Sequence, residues 1–200
     1  MNIPPSTLGV NGVDLLMAII IALVIYVRRG DGIVAELFKL IGVFFTILIT
    51  LHYYVRFAGF LRAQFFGEEV KAEFFSFCLL SIPIFLTFTF FSNSWSLILR
   101  IKSFDAVDRW GNLILSLLRS YFICSMVFLA LLVTGSDYFV SRAERSISGA
   151  VFRNAAVELY KVSYSNLIEK FFPGEQINEK VFRVIGKISG KPRYYIHQSK

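Results

Sequence analysis

From Phe74 to Leu99 the chain carries no Asp, Glu, Lys or Arg over 26 consecutive residues. A helix that meets water needs a polar face, so a run this long reads as a segment surrounded by apolar material. The pattern recurs: Leu15–Val27 and Leu40–Val55 are uncharged, and Trp110–Ser136 is broken only by Arg119. A bilayer core of about 30 Å takes roughly 20 mainly apolar residues as a helix. The gaps between charges therefore predict four spans, at about 9–27, 33–53, 74–98 and 111–134.

Composition points the same way. Hydrophobic residues make up 56% and charged residues 18%, against about 45–50% and about 25% in soluble domains. A soluble fold of this chain, with its 22 phenylalanines, would leave large apolar patches in water. Two cysteines cannot build a disulfide framework. Continuous apolar runs, rather than short alternating ones, specify helices and not a barrel. The first run does not read as a cleaved leader, because no basic residue precedes it and Arg28-Arg29 follows it. The expected fold is an all-α integral membrane protein, with a four-helix membrane domain over 1–136 and a kink at Pro83.

Beyond residue 136 the character changes. Val140, Ala143, Ile147, Ala150, Val151, Ala155, Leu159 and Val162 recur at three- and four-residue spacing, with Arg142, Arg145, Arg153, Glu158 and Lys161 between them. This predicts one amphipathic helix over 141–172, lying on the surface and ended by Pro173-Gly174. A short apolar-and-basic piece over 177–188 and a poorly ordered end, 190–200, complete a basic tail. Orientation is contested by the charges. Arg28-Arg29 in the first connection and Arg100, Lys102 and Arg109 in the third favour those connections inside and both termini outside. The basic tail argues for the reverse, since it suits an anionic cytoplasmic leaflet.

The order of motifs resembles the colicin V production family. Asn11-Gly12-Val13-Asp14, an apolar span, Arg28-Arg29-Gly30, then Glu36-Leu37 opening a second span with Gly42 resemble the family's first half. Asp108-Arg109-Trp110-Gly111 and Arg119 occupy the place of its basic loop, glycine and arginine at the start of the fourth span. Two departures are visible: Leu115 and Ser120 stand where the family shows glycine, and Arg119 falls one residue late. The resemblance covers about residues 9–135. It implies a small bacterial inner-membrane protein linked to production or export of a peptide toxin and to envelope homeostasis. Some family regions are joined to an extracytoplasmic protease domain, which implies termini outside.

Ionisable residues inside spans are expensive and are the first functional candidates. Glu36 and Lys39, three apart, share a helix face. They suit a local pair near the interface, with Lys39 snorkelling, better than an ion relay. Arg119 has two readings: a cross-bundle pair with Glu36 or Asp14, or snorkelling to the membrane face. Asp14 is expected to cap the first span, and Gly30 to supply a tight turn. With Arg29 and Gly111 these complete the candidate set. Ala18/Ala22, Gly42/Thr46/Thr50 and Ser116/Ser120/Cys124 read as close-packing seams, one of them a candidate dimer face. Cys78 and Cys124 read as apolar filler.

His52 and His197 are too few for a His-based metal site, and no phosphate loop or nucleophile elbow appears. The expected protein is therefore non-enzymatic, without metal or cofactor. Its expected partners are the lipid bilayer, a second copy of itself and envelope or export proteins, and not nucleic acid, although Tyr194-Tyr195 lie in the basic tail. The alternative is a small oligomeric channel or transporter using Glu36, Lys39 and Arg119. That reading requires those residues to line a continuous polar cavity.

Overall fold

The computed structural model describes residues 10–27, 33–65, 67–98, 105–172 and 174–189. Every regular element among them is helical: α1 Gly12–Val27, α2 Ile33–Gln64, α3 Glu69–Ile98, α4 Asp105–Val133, α5 Asp137–Glu144, α6 Ile147–Phe152, α7 Ala155–Ser163, a π-helical turn Tyr164–Ile168, α8 Glu169–Phe171 and α9 Glu179–Ser189. Three of them, α2, α3 and α4, are long and apolar enough to cross a membrane. With 16 residues, α1 is shorter, about 24 Å at 1.5 Å per residue.

The long helices overshoot a bilayer core. At 32 residues, α2 extends about 48 Å, and it continues eleven residues past the expected span end at 53. Helix α3 begins at Glu69, ahead of the expected 74, and runs through Pro83. The surplus turns carry Arg56, Arg62, Glu69, Lys71 and Glu73, so the α2–α3 hairpin projects beyond the apolar zone.

Helix α2 packs along α3 on one side and against α4 on the other, and α1 lies against α4. Contacts fix the directions. Ser76 Oγ donates to the Tyr54 carbonyl at 2.6 Å and Ser92 Oγ to the Ala35 carbonyl at 2.8 Å, so α3 runs antiparallel to α2. Cys124 Sγ lies 3.8 Å from the Met17 carbonyl, near the end of α4 and the start of α1. One end of the bundle, the tail end, therefore holds the start of α1, the end of α2, the start of α3 and the end of α4.

Small side chains decide where helices approach, because in lipid close packing replaces the hydrophobic drive. A methyl added at Gly42 would overlap the Cβ of Phe88 on α3. Thr46, Thr50, Ser116, Ser120 and Cys124 are all buried, as seams require. Ala18 and Ala22 form no seam within the chain: both are exposed, and α1 instead buries Val13, Met17 and Val24. The reason is geometric: α4 is the main neighbour of α1 and takes one face of it, while α5 and α6 meet α1 near its start. The outward face of α3, with Phe75, Leu79, Ile82, Leu86 and Phe90, is exposed and apolar. In water such a stripe would aggregate, whereas in a bilayer it meets its solvent.

The tail departs from expectation. In place of one surface helix over 141–172 there are successive short helices folded back on the bundle. Gly135, at φ +62, makes the left-handed turn out of α4. Ser146 caps α6 by accepting from the Gly149 amide at 2.8 Å. Gly149 itself packs where a methyl would meet the Ala143 carbonyl. On α4, Ser125 Oγ donates to the Phe152 carbonyl at 2.6 Å and accepts from the Ala156 amide at 2.8 Å. One hydroxyl thus holds the corner between α6 and α7. Ala156, Val157, Tyr160 and Val181 join the same buried cluster as Met17 and Tyr54. The periodicity that suggested one continuous helix arises because each short piece buries its own apolar side. The expectation for 190–200 lies outside the described residues.

Candidate functional site

Glu36 stands in the first turn of α2, where the helix dipole favours a carboxylate. It is fully buried, at 0% exposure. Arg119 on α4 is 5% exposed and its Nε lies 3.0 Å from Glu36 Oε1. The pair therefore ties α2 to α4 inside the bundle, and the snorkelling reading of Arg119 is overturned. Burying either charge alone would be prohibitive, so the two sequence elements must meet for either to be tolerated.

The surroundings extend this polar centre. Lys39, one turn on from Glu36, is 5% exposed, and Asn112 and Ser116 on α4 are buried. Ser116 Oγ returns to the Leu113 carbonyl at 3.0 Å, and Ser120 Oγ to Leu117 at 2.8 Å. Gly111 on α4 faces the start of α2: a methyl there would come within 2.5 Å of Ile33 Cδ1, the movable end of that side chain. Three candidates from separate motifs, Glu36, Gly111 and Arg119, thus converge on the α2–α4 contact.

Asp14 is elsewhere, at the tail end. The cap of α1 is Asn11, whose Oδ1 accepts from the Val13 amide at 2.8 Å. Asp14 returns the bond, Oδ2 accepting from the Asn11 amide at 2.9 Å, which makes a reciprocal capping box. Its other oxygen accepts from the Ser148 amide in α6 at 2.6 Å. One carboxylate serves two helix starts, so Asp14 is no partner of Arg119. Arg29 and Gly30 lie outside the described residues, as do Tyr194, Tyr195 and His197.

A second polar cluster was not visible in the sequence. The segment 174–178 and the start of α9 cross the tail end of the α2–α3 hairpin as a strap. Glu175 meets Arg56 at 2.6 Å and accepts from His52 Nε2 at 3.2 Å, since a carboxylate can only accept. The His52 Nδ1 lies 3.0 Å from the Tyr160 hydroxyl, which also accepts from the Asn178 amide at 3.1 Å. Asn178 Nδ2 donates to the Leu51 carbonyl at 2.7 Å. Lys180 reaches Glu69 at 2.6 Å and also bonds Glu73. Hydrogen bonds from Arg56 and then His52 hold the Glu175 carboxyl below its ordinary value. Burial pushes the Tyr160 phenol up to about 12. The only sequence signal was polar residues after a Pro-Gly stop, with hairpin partners 107–127 positions away.

The family model for colicin V production protein matches residues 13–157. This chain belongs to the colicin V production protein family. No curated protein and no solved structure matches it. The matched region begins beside Asp14 and ends in α7, so it contains the buried Glu36–Arg119 pair, Gly111 and the α6 corner. The strap over 174–180 lies beyond it. Membership together with the long apolar helices makes the chain an all-helical, multi-pass membrane protein of the colicin V production family.

Proposed function

We propose that this colicin V production family member is a non-enzymatic accessory protein of the bacterial inner membrane that supports peptide-toxin production or export and envelope homeostasis. The observation that carries the reading is the closed Glu36–Arg119 contact at the centre of the family-matched bundle. Glu36 is fully buried, so the charged centre acts as a lock between α2 and α4. The channel reading needs those same charges to face a polar pathway, and their burial favours a scaffold.

In this reading α1 is a fourth, thin crossing and both termini lie outside. Basic residues then flank the inner connections, as positive-inside placement requires. The test is deletion of the gene in its host, with complementation by the wild type and by Arg119→Met. Reduced release of the peptide toxin and a leakier envelope, restored by the wild type, support the role. Normal release and a normal envelope would refute it. The purified protein in vesicles should pass no ions, and a steady conductance would turn the assignment to a channel.

A further inference from the structure

The charges of the tail fall into two unlike groups. In the strap group each described cation has a carboxylate: Arg56 with Glu175, Lys180 with Glu69 and Glu73, Arg183 with Glu179 at 3.2 Å. At the α5–α6 corner the pattern stops. Among the described residues, Arg142, Arg145 and Arg153 have no carboxylate partner, and the Arg142 guanidinium instead lies 4.9 Å from the centre of the Tyr138 ring. Beside these cations Tyr138, Phe139, Ile147 and Val151 are exposed.

The corner's position along the bundle is set by bonds. It follows α4 directly through the Gly135 turn. Asp14 binds the Ser148 amide at 2.6 Å, and Asn11 Nδ2 donates to the Arg142 carbonyl at 2.9 Å. The two helices that meet it, α1 at its start and α4 at its end, are apolar. The corner therefore lies where the apolar zone ends. Aromatic rings beside unneutralised cations at that depth match the headgroup region in charge and in polarity.

We propose that the α5–α6 corner binds the headgroup phosphates of anionic phospholipids, with Arg142, Arg145 and Arg153 as the cations and the neighbouring aromatic and aliphatic side chains seated in the boundary layer. This rests on the membrane-bundle reading and not on the accessory role, so it stands or falls separately from toxin export.

The test uses the full chain purified in neutral detergent and titrated with phosphatidylglycerol or with phosphatidylcholine, bound lipid being counted by native mass spectrometry. The wild type should retain phosphatidylglycerol preferentially. Each arginine near a charged surface is worth roughly a five-fold change in binding, so Arg142→Gln, Arg145→Gln and Arg153→Gln together should lower it on the order of a hundred-fold. The matching triple lysine variant should keep most of the binding. Removing three ion-paired cations elsewhere, by Arg62→Gln, Lys71→Gln and Arg183→Gln, should leave the preference in place. Equal retention of the two lipids by the wild type would overturn the proposal, as would equal losses from the two glutamine triples. If the corner triple does not fold, the single glutamine variants each read the five-fold step.

Discussion

Replacing Arg119 with methionine would leave the Glu36 carboxylate buried opposite an apolar side chain. With nitrogen and oxygen 3.0 Å apart, and an effective permittivity of about 20, unit charges at 3–4 Å attract by roughly 4–6 kcal/mol. Desolvation of both groups offsets most of that, so the intact pair adds little net stability. Removing one partner is different, because the remaining charge keeps its desolvation cost; the expected loss is about 3–5 kcal/mol. Glu36→Met should cost a similar amount. The double variant should fall within about 1 kcal/mol of wild type or exceed it, since two methionines leave no charge to bury. Lys39, on the same face as Glu36, offers a substitute cation, so the cycle is repeated with Lys39→Met throughout. Unfolding of the purified chain in mixed micelles, titrated with dodecyl sulfate and followed by circular dichroism, yields the coupling energy. Single variants as stable as wild type, or a double variant as costly as the two singles summed, would refute the lock.

A methyl at Gly42 meets a rigid atom, the Phe88 Cβ, so Gly42→Ala should cost about 1–3 kcal/mol in the same unfolding assay. Phe88→Ala keeps that atom and should not rescue it, whereas Phe88→Gly should in part. Asp14→Ala removes the return bond to Asn11 and the bond to the Ser148 amide at the start of α6, with an expected loss of about 1–2 kcal/mol; hydrogen exchange should quicken at the Ser148 amide, and unchanged exchange there would rule out the double role of Asp14. Because bonds from Arg56 and His52 lower the Glu175 pKa from 4.5, its share of strap stability is complete above that value and disappears as pH falls through the depressed one. Protection of the Asn178 amide should persist from pH 7 to about 5 and decline in stronger acid, and Glu175→Gln should flatten that decline. A phosphatase fused after Lys200 should be active and a fluorescent protein there dark; the opposite pair of results would invert the topology.

Much of the bundle is legible because lipid imposes a simple rule, that charges stay out unless paired. Glu36 and Arg119 stood out for that reason, and their meeting was one of the readings the residues allowed. The tail was harder to read because it obeys mixed rules. Its apolar spacing continues across Ser146 and Asn154, yet the chain turns at both places, owing to tertiary bonds from Ser125 and the close packing of Gly149. Capping was misassigned by one step: Asp14 is an obvious helix-start residue, but Asn11 performs the cap and Asp14 answers it. The strap was unreadable in principle. His52 looked like an isolated polar residue at a span end, and its partners, Tyr160 and Glu175, lie 108 and 123 positions downstream.

That separation gives the protein a timetable. Arg56 is synthesised 119 residues before Glu175, and at about 5–20 residues per second the ribosome needs roughly 6–24 seconds to cover the gap. Throughout that interval the end of the α2–α3 hairpin exists without its closure, with Arg56 and His52 awaiting a carboxylate that has not been made. In the proposed topology the closing segment must also be carried across the membrane before it can dock. The nascent protein therefore passes through a stage in which its crossings are in place and its outer end is open, and membrane proteases that survey unfinished chains would find their target there.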